Sequence, residues 1–253
     1  MCAAFVFPVY IQQLLSALFV KDDEGDDEGT VENLSFTLRQ LPDYLPCRCY
    51  IDGGRTQIIV RPLRRNEIVD FYAAVREAAA SGNGYGFDEL PGLAYFVRWY
   101  VDDMYNLVYE LSTPKAENNQ SSRVEVEPEK RVVIGYNNFG PSLYSRSEEK
   151  PALFDGNIVL RAEFRGRRWI DDLIEIRKGI GVDCGVRCFF EETYLSNMPA
   201  IRGLRRAGAN ICGTIPRNTY VRDVGFVDGV LFYEPLDESL SFSLTNRITQ
   251  SKI

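Results

Sequence analysis

The chain predicts an α+β domain, and three observations point there. Runs of β-branched and aromatic residues alternate with segments of three-four apolar spacing, in the order strand, two helices, three strands, helix, strand, helix, two strands. The hydrophobic share of 45% and the charged share of 26% are those of an ordinary globular protein. At 253 residues the chain can also bury a core that needs neither disulfides nor a metal.

The elements follow from local pattern. Residues 57–63 form a short β-branched run, read as the first strand. Asn66 stands where it can cap a helix whose apolar positions are Ile68, Phe71, Tyr72 and Val75. Residues 93–104, rich in aromatics (Tyr95, Phe96, Trp99, Tyr100), read as a second helix. Residues 106–111 and 131–137 are strands expected to pair across the polar stretch 112–130. After a shorter polar stretch, 142–151, a fourth strand at 157–164 runs directly into Gly166 and a helix carrying Trp169, Ile170, Leu173 and Ile174. A fifth strand at 186–194, a helix at 197–207 closed by Gly208, and strands at 210–215 and 227–234 complete the set.

These elements place a domain at residues 56–237, between an extension at 1–55 and a tail at 238–253. The extension holds an apolar segment, 1–20, and an acidic linker, 22–29. Residues 1–20 carry no charge and are long enough to be weighed as a membrane span. Pro8, Gln12, Gln13 and Ser16 dilute the run, and no basic residue precedes it, as a signal peptide would require. The segment is therefore expected to pack on the domain, a partner or a second copy of the chain through Phe5, Phe7, Tyr10, Leu14, Leu15 and Phe19. A cytoplasmic location follows from that reading; tethering to a membrane through the same residues is the alternative.

Composition also excludes function classes. A net charge of −7 offers no excess of cations to displace phosphate counterions, so direct nucleic-acid binding is not expected. The chain has no histidine, which removes Ser-His and Cys-His hydrolysis, histidine-ligated metals and the commonest general base. Cys47 and Cys49 are separated by one residue, and Cys184 and Cys188 have no matching second pair, so no metal site is expected. Acid-base work must fall to carboxylates, tyrosines, cysteines or water.

Two local features carry chemistry. The first is the strand-to-helix turn through Leu160, Arg161, Ala162, Arg165, Gly166, Arg167, Arg168, Trp169 and Ile170. A strand passing through one glycine into a helix leaves backbone N–H groups free at the positive end of the helix dipole, and three arginines add full charges there. A pyrophosphate needs such a cradle. The second is the helix start at Asn197, with Pro199 in the first turn, where a missing N–H costs nothing.

At these residues the chain resembles the GNAT superfamily of acyl-CoA-dependent N-acyltransferases, over about residues 57–236. The family's turn is often written Arg-Gly-x-Gly-x-Gly. Arg165 and Gly166 match its first two positions, whereas Arg168 stands at the fourth and Ile170 at the sixth. Asn197 to Ala200 resemble the family's Asn-x-x-Ala helix start, and Arg206-Ala207-Gly208-Ala209 resemble its Lys-Leu-Gly-Phe ending. The tyrosine that many members use as general acid falls on Leu204.

The resemblance implies a mixed, mostly antiparallel central sheet of about six to seven strands flanked by about four helices. It further implies direct acetyl transfer from acetyl-CoA, as co-substrate without a metal, to a primary amine. The thioester would lie where the fourth and fifth strands splay apart, near the N–H groups of Leu160 to Ala162, with the coenzyme held by the turn and by Asn197. Glu191 is the expected proton acceptor, with Asp155 and Glu192 as weaker candidates. A non-catalytic binding protein of the same fold, with a degenerate cofactor turn, is the alternative.

Overall fold

The computed structural model describes residues 34–81, 92–112, 131–142, 145, 153–221 and 224–243. The expectations for residues 1–20, for the linker 22–29 and for most of the stretch 112–130 lie outside the described residues. Within the described residues no helix is long and apolar enough to cross a membrane.

Eight strands among the described residues form one sheet: β1 (Cys47–Ile51), β2 (Thr56–Pro62), β3 (Tyr105–Ser112), β4 (Arg131–Pro141), β5 (Phe154–Leu160), β6 (Cys188–Tyr194), β7 (Asn210–Val221) and β8 (Gly225–Pro235). Their order across the sheet is β1-β2-β3-β4-β5-β6-β8-β7. Every neighbouring pair is antiparallel except β5 and β6. The α+β class and the antiparallel character stand as expected, and the sheet is larger than expected. The additional strand is β1, which lies in the stretch the sequence assigns to the extension. Cys47, Cys49 and Ile51 alternate inward on it and pair with β2 from Val60 to Thr56.

Among the described residues four helices flank the sheet: α1 (Ile68–Ala80), α2 (Leu93–Phe96, continued by a π-helical turn, Val97–Val101), α3 (Trp169–Asp183) and α4 (Met198–Arg206). Phe71, Ala74, Val75 and Ala78 give α1 one apolar stripe, which packs with Phe96 of α2 on Val108, Tyr136 and Val159. On the opposite face, Leu173, Ile176 and Ile180 of α3 cover Ile51, Tyr109, Phe139, Phe154 and Phe189. Ile201 and Leu204 of α4 join Ile174 against Val230 and Phe232. We refer to these two sides of the sheet as the α1 face and the α3 face.

Several boundaries depart from the sequence reading, each for a local reason. Asn66 does not cap α1. It lies inside a 3-10 turn, Arg65–Glu67, where the Glu67 carboxylate accepts the Arg64 N–H at 2.9 Å and pairs with Arg61. The second helix stops at Val101 instead of 104, because Asp102 turns to extended backbone and accepts the Thr37 N–H at 2.8 Å. The strand expected to reach 164 ends at Leu160, and a 3-10 turn, Ala162–Phe164, follows. β7 continues past 215, with register shifts at Ile211/Gly213 and Ile215/Thr219; Pro216, which has no N–H to donate, sits in the second of these. Phe242, in the expected tail, is buried against Gly179 of α3.

Candidate functional site

The parallel pair β5 and β6 joins at one position, Phe154 with Phe189, although β5 runs on to Leu160 and β6 to Tyr194. Beyond that contact the two strands part, and both end on the side where the basic turn begins. Residue alternation divides the lining of the gap. Phe154, Ile158 and Leu160 pack toward α3, whereas Val159 packs toward α1. Asp155 and Asn157 therefore lie on the α1 face. On β6, Phe189 and Glu191 face α3, which places Phe190 and Glu192 on the α1 face.

The edge of β5 that borders the gap has a free donor. Arg161 donates its N–H to the Ile134 carbonyl of β4 at 3.0 Å, so that group is committed. Strand alternation then turns the N–H and C=O of Leu160 to the opposite edge. The Leu160 carbonyl indeed accepts from Nε of Arg165 at 2.9 Å on that side. β4 approaches closely here: a methyl group at Gly135 would fall 2.5 Å from the Val159 carbonyl oxygen.

The turn into α3 is built from two left-handed residues. Gly166 has φ +76 and Arg168 has φ +62. The position at which the family pattern has glycine thus keeps a glycine-type conformation with an arginine in place. Among the described residues, the N–H groups of Gly166, Arg167, Arg168, Trp169 and Ile170 meet no acceptor, as expected at a helix start. The arginines differ in what they are free to do. Arg165 is tied to Leu160 and to both carboxylate oxygens of Glu77, at 3.3 and 3.2 Å. Arg167 lies over the rings of Phe164 and Trp169. Arg168 is exposed, and its side chain makes no hydrogen bond or ion pair among the described residues.

Trp169 is buried and stacks with Phe164, while Ile170 packs toward Gly203 of α4, so only their backbones face the turn. Ala162 starts the 3-10 turn, its carbonyl accepting the Arg165 N–H. Asn197 caps α4 by accepting the Ala200 N–H at 3.3 Å and donates to Oγ1 of Thr193 at 3.1 Å. Leu204 is buried in the core under α4.

The carboxylates separate sharply. Glu191 is buried and ion-paired with Arg177 of α3, whose guanidinium lies over the Phe189 ring with its carbon 4.3 Å from the centroid. Burial pushes the Glu191 carboxyl up, and the Arg177 charge pulls the other way. Among the described residues Asp155 has no such cation. Burial pushes it up to about 7, the Ser142 hydrogen bond opposes this, and the charges of Glu191 and Glu192 add to it. Glu192 is also pushed up by burial and accepts a hydrogen bond from Asn218 of β7.

Sequence reasoning missed Arg177, Gly156 and Ser142. The signal for Arg177 was present, since it lies four residues after Leu173 on the buried stripe of α3, where a charge calls for a buried partner.

No protein-family model and no curated protein matches the chain by sequence. Solved structures match it by fold. A GCN5-related N-acetyltransferase from Kribbella flavida gives a TM-score of 0.55 at 16% identity, over 71% of this chain and 98% of its own. An N-acetyltransferase from Staphylococcus aureus Mu50 gives 0.53 at 14% identity, over 71% and 99%. The yncA structure from Salmonella typhimurium, solved with its cofactor acetyl-CoA, gives 0.53 at 16% identity, over 72% and 95%. At these identities the likeness is one of fold.

Proposed function

For a chain with the fold of the GCN5-related N-acetyltransferases, we propose direct transfer of an acetyl group from acetyl-CoA to a primary amine. The observation that carries this reading is the parting of β5 from β6 beside a left-handed, arginine-bearing turn with uncommitted N–H groups. A pyrophosphate would lie against the N–H groups of Gly166 to Ile170 with Arg168 beside it, and the Leu160 N–H would face the thioester carbonyl. Arg165 would hold the turn to α1 and β5, and Asn197 would hold the start of α4.

A primary amine at neutral pH arrives as an ammonium ion and must lose a proton before it attacks. Asp155, on the α1 face of the parting and pushed up to about 7, is our choice for the proton acceptor, ahead of the ion-paired Glu191. The amine lone pair then forms the C–N bond, the C–S bond breaks, and the sulfur leaves with the bonding pair and is protonated to the free thiol. The Leu160 N–H stabilises the charge that develops on the carbonyl oxygen.

The test is thiol release from acetyl-CoA in the presence of a panel of diamines, amino acids and lysine peptides. Amine-dependent release, with an acetylated amine of matching amount, is the expected result. CoA binding without release toward any amine would select the non-catalytic reading.

A further inference from the structure

We propose that Arg177 is a positioning residue that sets the opening between β5 and β6, and with it the acyl group the gap admits. The inference rests on the coenzyme reading above. Counting from the Phe154–Phe189 contact along parallel strands, Gly156 and Glu191 each stand two residues beyond it, on the α3 face. Arg177 reaches that level from α3 and touches both strands. Its guanidinium is ion-paired with Glu191 and lies over the Phe189 ring on β6. On β5, a methyl group at Gly156 would lie 3.1 Å from Nη1. The guanidinium is therefore lodged at the point where the strands begin to part, and the bare α-carbon of Gly156 makes room for it.

An apolar side chain could fill the same volume, but its contacts would be non-directional. A planar cation that is 2% exposed and paired with a carboxylate that is 7% exposed has one favourable placement, because any drift leaves a buried charge uncompensated. That makes the separation of the strands a property of the pair and not of general packing.

One residue further along the same helix stands a natural control. Lys178 pairs with Glu234 of β8 at 3.0 Å and donates to the Ala207 carbonyl at 2.7 Å. This second buried pair fixes α3 to the sheet without touching β5.

The experiment measures binding of CoA, acetyl-CoA, butyryl-CoA and hexanoyl-CoA to the full chain by calorimetry, so no acceptor is needed. Arg177→Met with Glu191→Leu removes both charges together. It should leave CoA affinity within about twofold and shift the preference for acetyl over hexanoyl by about tenfold or more, the scale set by a methylene-sized change in a pocket. Lys178→Met with Glu234→Leu should lower thermal stability and leave that preference unchanged. Arg177→Lys keeps the charge without the planar fork and should give an intermediate preference, which also serves if the double variant does not fold. Equal effects of the two pairs, or an unchanged preference in folded Arg177 variants that bind CoA, would reduce Arg177 to a structural role. Failure of the wild-type chain to bind CoA at all would instead overturn the coenzyme reading, and this inference with it.

Discussion

The two faces of the sheet at the parting of β5 and β6 use the same residue types for different ends. On the α3 face the buried carboxylates among the described residues each have a fixed cation: Glu191 has Arg177, and Glu234 has Lys178. On the α1 face Asp155 and Glu192 have only neutral hydrogen-bond partners among the described residues, Ser142 and Asn218. A carboxylate with a permanent counter-charge holds elements together, because giving it a proton would strand the cation. Asp155, without such a partner and pushed up to about 7, can exchange its proton near neutral pH. Neighbours in sequence, Glu191 and Glu192, fall into different classes only because strand alternation sends them to different sides.

The largest expected effect is on stability, from the compensated face. Glu191→Gln leaves Arg177 buried without a negative partner and should lower the unfolding free energy by about 3 kcal/mol, read from denaturant midpoints. The uncompensated face should answer in rate instead. Asp155→Asn should lower amine acetylation by about 10²-fold or more while CoA binding persists. The wild-type rate should rise with pH and level off above about 7, since the protonated carboxyl cannot accept a proton.

The stability of the same variant carries an independent sign. Asp155 in the folded chain titrates above its ordinary value of 3.8, so protonation favours the fold. That contribution is present in full below the ordinary value and is lost as pH rises through about 7. Asp155→Asn should consequently have a higher Tm than wild type at pH 8 and a matching Tm near pH 3. If Glu191→Gln costs rate and Asp155→Asn costs stability, the assignment of the two faces is reversed.

A smaller effect is expected at the turn. Arg168 holds φ +62, a conformation that costs a non-glycine residue about 1 kcal/mol. Arg168→Gly should relieve that strain and raise Tm slightly, yet weaken CoA binding several-fold because the free guanidinium is lost. Tighter CoA binding by Arg168→Gly would make the arginine an obstruction to the coenzyme.

How much of this was legible in the sequence depends on whether the information was local. The basic turn was readable because Arg165-Gly166-Arg167-Arg168 joins a strand to a helix within a few residues, and the left-handed backbone at Arg168 falls where the family pattern has glycine. The stripe of α1 was readable for the same reason, since Ile68, Phe71 and Val75 recur with the helix period. β1 was written in the sequence as an inward alternation of Cys47, Cys49 and Ile51, but its partner β2 had to be known before it could count as sheet. The sequence favours Glu191 over Asp155 because strand position alone does not say which carboxylate meets a buried cation. Arg177 lies fourteen residues earlier and settles that question only in three dimensions.

The proposed placement of coenzyme A along the turn and the open edge of β5 can be checked by amide hydrogen exchange with and without saturating CoA. Slowed exchange is expected at the N–H groups of Gly166 to Ile170 and at Leu160, with Arg161 unchanged because its N–H is already bonded to Ile134. Protection confined to other segments, or none at saturating CoA, would contradict it.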